Sequence, residues 1–134
     1  MKRVVVDTNV LVSSILSPEN SPAMVMDLVS DRYLALYFCL SILDEYRRVL
    51  AYQKLRISLQ TQIMIIKTII ELGFIIEPES SSMYFMDESD RIFYDTAKAV
   101  GATLISGNTR HFPNDPYIMT PGDFLRSLQR DSNS

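Results

Sequence analysis

The sequence predicts an α/β fold, a mainly parallel sheet with helices on both faces. Short, nearly continuous apolar runs such as Val4-Val5-Val6 and Tyr33 to Cys39 have the character of strands buried on both sides. Longer stretches between such runs carry apolar residues at helical spacing. The two kinds of segment alternate along the chain, the order expected of a parallel sheet.

In chain order, residues 2–7 form the first strand, and Val10, Leu11, Ile15 and Leu16 outline a helix that Thr8 or Asn9 caps. Ser17-Pro18-Glu19-Asn20-Ser21-Pro22 is a turn cluster, followed by a helix around Ala23, Met26 and Val29. Residues 33–39 are the second strand, nearly all apolar. Ser41 or Asp44 caps the next helix, over 42–52, with Ile42, Leu43, Tyr46, Val49 and Leu50 as its apolar face. The longest helix, 58–72, has a stripe of Leu59, Ile63, Ile66 and Ile70, which Ile65 and Ile69 widen beyond one buried face. Two readings stand for it: a deeply packed helix, or one that also supplies a subunit interface. Gly73 ends it. Residues 74–76 are a short third strand and 78–82 a polar loop. A helix opens at 87–90 and runs to Val100, closed by Gly101; 103–106 and 117–119 are the last strands. Pro121 starts a final amphipathic helix through Phe124, Leu125 and Leu128.

Length and composition fit one soluble domain spanning residues 1–134, with disorder expected only in the last few. Of the residues, 47% are hydrophobic and 22% charged, ordinary proportions for a globular protein. No apolar run approaches the ~20 residues that span a bilayer, and the first residues enter a strand rather than a signal peptide. Cys39 is alone, which excludes an internal disulfide or a cysteine-built zinc site and fits a cytoplasmic home. Its apolar surroundings make it a buried thiol rather than a nucleophile. The net charge of −3 argues against binding nucleic acid through bulk electrostatics, yet not against an enzyme that acts on it through bound cations.

Four polar residues fall at equivalent places in this scheme. Asp7 ends the first strand, Glu45 lies one turn into the helix after the second, Asp90 stands at the mouth of the helix before the fourth, and Asn108 follows that strand's tip. If the first and fourth strands are neighbours across a reversal of strand order, all four converge on one crevice. Each has an ordinary alternative: Asp7 a helix cap, Glu45 a surface partner of Arg48, Asp90 a cap or first-turn acid, Asn108 half of a turn dipeptide with Gly107. Together they say more. Three carboxylates in one place repel one another and need a cation; hard oxygen donors without histidine select Mg²⁺ or Mn²⁺. Asp95 lies 95 − 90 = 5 positions after Asp90, about 140° round the helix at ~100° per residue, and points off that face into a structural role or one supporting the site from behind. Asp87 and Glu88 read as solvated loop acids.

The ordered set Val4-Val5-Val6-Asp7-Thr8-Asn9, Leu40-Ser41-Ile42-Leu43-Asp44-Glu45-Tyr46, Asp87-Glu88-Ser89-Asp90-Arg91-Ile92-Phe93-Tyr94-Asp95 and Gly101 to Pro113 resembles the PIN domain, as found in the ribonuclease toxins of prokaryotic toxin–antitoxin pairs. The likeness covers most of the chain in the right order. It implies a Rossmann-like three-layer sandwich and a metal-dependent endoribonuclease whose acids are Asp7, Glu45 and Asp90. The fourth acidic position of many members falls on Asn108, an amide that can ligate through its carbonyl but adds no charge. One or two metal ions remain open.

On this reading Asp7 and Asp90 hold Mg²⁺ or Mn²⁺, directly or through waters, and Glu45 completes the site and helps position or deprotonate the attacking water. Asn9, Ser41 and Arg110 are polar candidates for substrate contact, with Arg110 able to neutralise a phosphate. His111 is a packed or capping residue or else a proton donor. A toxin implies an antitoxin partner. The apolar excess on 58–72 suggests a homodimer. The alternatives are a catalytically weak PIN-like module that binds RNA or a protein, which Asn108 favours, and a phosphatase using Asp7 as nucleophile, which lacks a second acid at Asn9.

Overall fold

The structure is a computed structural model that describes residues 1–133, with side chains described through Ser132. Its elements are β1 (Lys2–Val6), α1 (Thr8–Leu16), α2 (Ser21–Ser30), β2 (Leu34–Phe38), α3 (Leu40–Leu50), a 3₁₀ turn (Gln53–Leu55), α4 (Leu59–Leu72), β3 (Phe74–Ile75), α5 (Glu88–Val100), β4 (Thr103–Ile105), a second 3₁₀ turn (Thr109–His111), β5 (Ile118–Met119) and α6 (Pro121–Asn133). The tail expected to be disordered is helical as far as Asn133, and Ser134 lies outside the described residues.

The strands form one sheet in the order β3-β2-β1-β4-β5, and every pairing is parallel. With the helices around it, this is the three-layer α/β sandwich the alternating pattern predicts. Strand order reverses between β1 and β4, and their register is fixed by Val4↔Thr103, Val5↔Leu104 and Val6↔Ile105. Val4, Val5 and Val6 are almost wholly buried, because a central strand is covered on both faces. Each such valine is stabilised by about 1.5–3 kcal/mol through its removal from water. Ile42, Tyr46 and Leu50 of α3, Phe93 of α5 and Leu36 of β2 close the core around it.

Several helix ends differ from the sequence reading. Of the caps the sequence allowed for α1, Asp7 and not Thr8 or Asn9 is the N-cap, its carboxylate accepting from the Thr8 backbone. The helix therefore starts two residues before Val10. α3 begins at Leu40 behind Cys39, which makes no side-chain cap bond, so neither Ser41 nor Asp44 caps it. Asp87 caps α5 by accepting from Ser89, and Glu88 is inside the helix, paired with Arg91 at 3.0 Å; neither is a free loop acid. Gly73 ends α4 with ordinary extended dihedrals. Its glycine is needed for space, since a Cβ there would meet the Ile69 carbonyl and the Phe38 ring at 2.6 Å. α4 itself is only partly covered: Ile66 and Ile69 are buried, while Leu59, Ile63, Met64 and Ile70 are exposed. The deeply packed reading of this helix is thus incorrect, because only one edge of its apolar surface meets the protein.

Candidate functional site

The site is built outward from the junction of β1 and β4. The Asp7 N–H continues the ladder by donating to the Ile105 carbonyl at 2.9 Å, and its own carbonyl then accepts from Val10 at the start of α1. Turning from strand to helix leaves the carboxyl group of Asp7 buried at the sheet's carboxyl edge. One oxygen accepts from the Thr8 N–H at 2.8 Å and the other from the Ser106 hydroxyl at 2.7 Å. Burial pushes its pKa up; the bonds from Ser106 and Thr8 oppose that, and the charge of Glu45 adds to it. Asp7 is a helix cap and a member of an acid cluster at once.

Glu45 is carried to the same place by α3. Thr8, the first residue of α1, donates its hydroxyl to Glu45 Oε2, while Glu45 Oε1 lies 3.7 Å from Arg48 Nη2. The neighbouring residue fixes this turn of helix: the Tyr46 hydroxyl donates to the Val6 carbonyl from a buried position. Burial, then Asp7 and Glu45, push the Tyr46 phenol well above its ordinary range, so it remains a donor.

Asp90 sits in the first turn of α5, half-buried, with the His111 imidazole Nδ1 3.6 Å from its Oδ2. Its pKa is raised to about 6, first by burial and then by Asp7 and Asp87, with Glu45 adding and His111 opposing. Asp7, Glu45 and Asp90 thus feel one another's charge although they come from three separate elements.

The remaining candidates divide. The Asn108 N–H donates to Ser106 Oγ at 3.0 Å, which ties it to Asp7 through one hydroxyl. Its side chain, with Asn9 and Gly107, lines a cleft of about 280 Å³. Asn9 accepts from the Gly107 N–H at 3.1 Å and holds the tip of β4. Arg110 is exposed and shares a cleft with Asp90 and His111. Ser41 is exposed on the first turn of α3 and makes no hydrogen bond to the acids. Asp95 is buried away from them and accepts from the Ser81 N–H at 3.0 Å, anchoring the loop before α5.

Sequence reasoning missed Thr8, Tyr46 and Ser106, the neutral groups that hold the acids. Ser106 had a readable signal. In a parallel pair with Val6 opposite Ile105, the next residues along, Asp7 and Ser106, must meet.

Carboxylate, hydroxyl and amide oxygens suit a hard divalent cation such as Mg²⁺ or Mn²⁺. Among the described residues no three Asp, Glu, His or Cys side chains are drawn close enough to enclose an ion on their own. The donor set fits such an ion in chemistry and in charge, because a cation would offset the burial that is the first cause of the raised Asp7 and Asp90 and the mutual repulsion that adds to it. Waters would complete the shell, as is usual for Mg²⁺.

A PIN-domain family model matches residues 3–110, which takes in Asp7, Glu45, Asp90 and Asn108. An uncharacterized protein of Methanocaldococcus jannaschii is 30% identical over 109 residues, spanning 79% of this chain and 70% of that protein. The all-parallel sheet, the acids at its carboxyl edge and the match over most of the chain lead to one conclusion: the chain belongs to the PIN-domain family, a family of nuclease type.

Proposed function

We propose that this chain is a Mg²⁺- or Mn²⁺-dependent endoribonuclease, acting as a single PIN-like domain and as the toxin of a toxin–antitoxin pair in the cytoplasm. The observation that carries the reading is that Asp7, Glu45 and Asp90, from three separate elements, lie close enough to feel one another's charge; burial first, and then Asp7, Asp87 and Glu45, raise Asp90 to about 6. PIN domains are generally nucleases that use divalent metals. No described helix is long and apolar enough to cross a membrane.

A bound cation supplies two things here: it acidifies a water and neutralises charge on the phosphate. Asp7, held rigid by Thr8 and Ser106, and Asp90 are the residues to hold it. Glu45, steadied by the Thr8 hydroxyl, would orient the attacking water and accept its proton. Arg110 is free to reach a phosphate oxygen, and Asn108 and Asn9 shape the tip of β4 beside it. Ser41, at the entrance of α3, contributes at most an outer contact to substrate.

The exposed apolar stripe of α4 is the surface for a second copy of the chain; the antitoxin is a separate protein. Incubation of single-stranded RNA with the protein tests the activity: cleavage should require Mg²⁺ or Mn²⁺, stop with EDTA, and vanish in Asp7→Asn and Asp90→Asn. A second reading, a catalytically weak module that binds RNA or a protein, is favoured by the amide at Asn108. Little cleavage with metal present, even at high enzyme concentration, would select it.

A further inference from the structure

Beside Asp90, a cleft of about 610 Å³ opens between the segment leading into α5 and the second 3₁₀ turn. Its volume is that of a small-molecule site. Phe85 forms the floor and is buried, packed edge-on against Phe112 at 6.2 Å and against Tyr94 at 5.4 Å, with the Arg91 guanidinium 5.3 Å from its ring centre. The floor is therefore rigid. The walls are not built the same way: Tyr84 is 81% exposed and Met86 94% exposed, on a loop that Asp95 and Arg91 hold at Ser81. Large apolar side chains left in water next to charged residues mark a binding surface. The lining is also polar, with the guanidinium of Arg110, the His111 imidazole and the carboxyl groups of Asp87 and Asp90.

We infer that this cleft takes an unpaired nucleobase of the RNA, the base flanking the phosphate at the acid cluster. The inference rests on the nuclease reading for its ligand, and it adds where on this chain the base beside the reacting phosphate sits. Asp90 belongs to both places, so a nucleotide whose phosphate lies at the acids has its base within reach of the cleft. A ring face stacks on Tyr84, and methionines mould to any base because their thioethers are flexible and polarizable. Arg110 lines the same cleft and is exposed, within reach of the RNA backbone. A base paired in a duplex is stacked on its neighbours and cannot enter, so the cleft selects single strands, loops or bulges.

The test is binding, measured apart from cleavage. Fluorescence anisotropy with Mn²⁺ and the full-length Asp7→Asn protein compares labelled hexauridylate with an oligomer of equal length lacking bases. Hexauridylate should bind about tenfold tighter, a modest value for base stacking. Tyr84→Ala and Met86→Ala, both at exposed positions, should bring it down to the baseless level, with circular dichroism showing that the fold is kept. Equal affinity for the two oligomers, or a preference untouched by both substitutions, overturns the inference. RNA cleavage by the unmodified protein with Mn²⁺ is scored separately. Base preference without cleavage keeps the cleft and removes the nuclease; cleavage without base preference does the reverse.

Discussion

The Ser106 hydroxyl donates to Asp7 Oδ2 at 2.7 Å while accepting from the Asn108 N–H at 3.0 Å, so one buried oxygen joins the tips of β1 and β4. Ser106→Ala removes both bonds and leaves a buried carboxylate oxygen without its donor. We expect a loss of about 1–2 kcal/mol in urea denaturation. RNA cleavage should fall roughly 10–100-fold, as for other groups that orient a metal-holding carboxylate. Unchanged cleavage would mean that Asp7 needs no such positioning.

Tyr46 acts on the backbone. Its hydroxyl donates to the Val6 carbonyl one residue before Asp7, across 40 positions of sequence. Tyr46→Phe keeps the ring packed against Phe93 and orphans that carbonyl. Stability should drop by about 1–2 kcal/mol, equally with and without metal. A silent substitution would show that the carbonyl finds water instead.

The acid cluster predicts a pH dependence for the metal-free protein. Asp90 is raised from 3.8 to about 6, and Asp7 is raised as well, so the folded state holds these protons more tightly than the unfolded chain. Stability from these groups is full below the unfolded value and is lost as pH rises through the folded one. Asp87, Asp115 and Asp123 are shifted down, so what they add is lost only as pH falls below about 3.8. Between about pH 4 and 6 the raised pair decides. In EDTA the melting temperature should be higher at about pH 5 than at about pH 7.5, Asp90→Asn should flatten the difference, and Mn²⁺ should restore stability at the higher pH. A melting temperature that rises with pH in EDTA contradicts this.

α4 leaves Leu59 69% and Ile63 59% exposed, above a groove of about 620 Å³ that also includes Arg47 and Lys67. Light scattering at micromolar concentration should give twice the 15.3 kDa chain mass, and Ile63→Asp should halve it. A monomeric unmodified chain removes the dimer.

The sheet was legible because β1 and β2 carry unbroken apolar runs, Val4-Val5-Val6 and Leu34 to Phe38, that a strand covered on both faces requires. The position of Asp7 followed from the end of β1, and those of Glu45 and Asp90 from the starts of α3 and α5. Cap identity was harder: Cys39 precedes the Ser41 and Asp44 expected for α3 by two and five residues, because competing polar residues look equivalent until the backbone chooses where to turn. So were the neutral holders. Thr8 reaches Glu45 across 37 positions, and no local pattern announces that contact. The half-exposed α4 was hidden for the opposite reason, since apolar periodicity reports what can be buried and not what is.

A crystal grown with Mn²⁺ puts the central claim to the most direct test. Anomalous scattering at the manganese edge should show a peak within reach of the carboxylates of Asp7, Glu45 and Asp90, lost in Asp7→Asn. A saturating Mn²⁺ soak with no peak there, or a peak on other residues only, would contradict it.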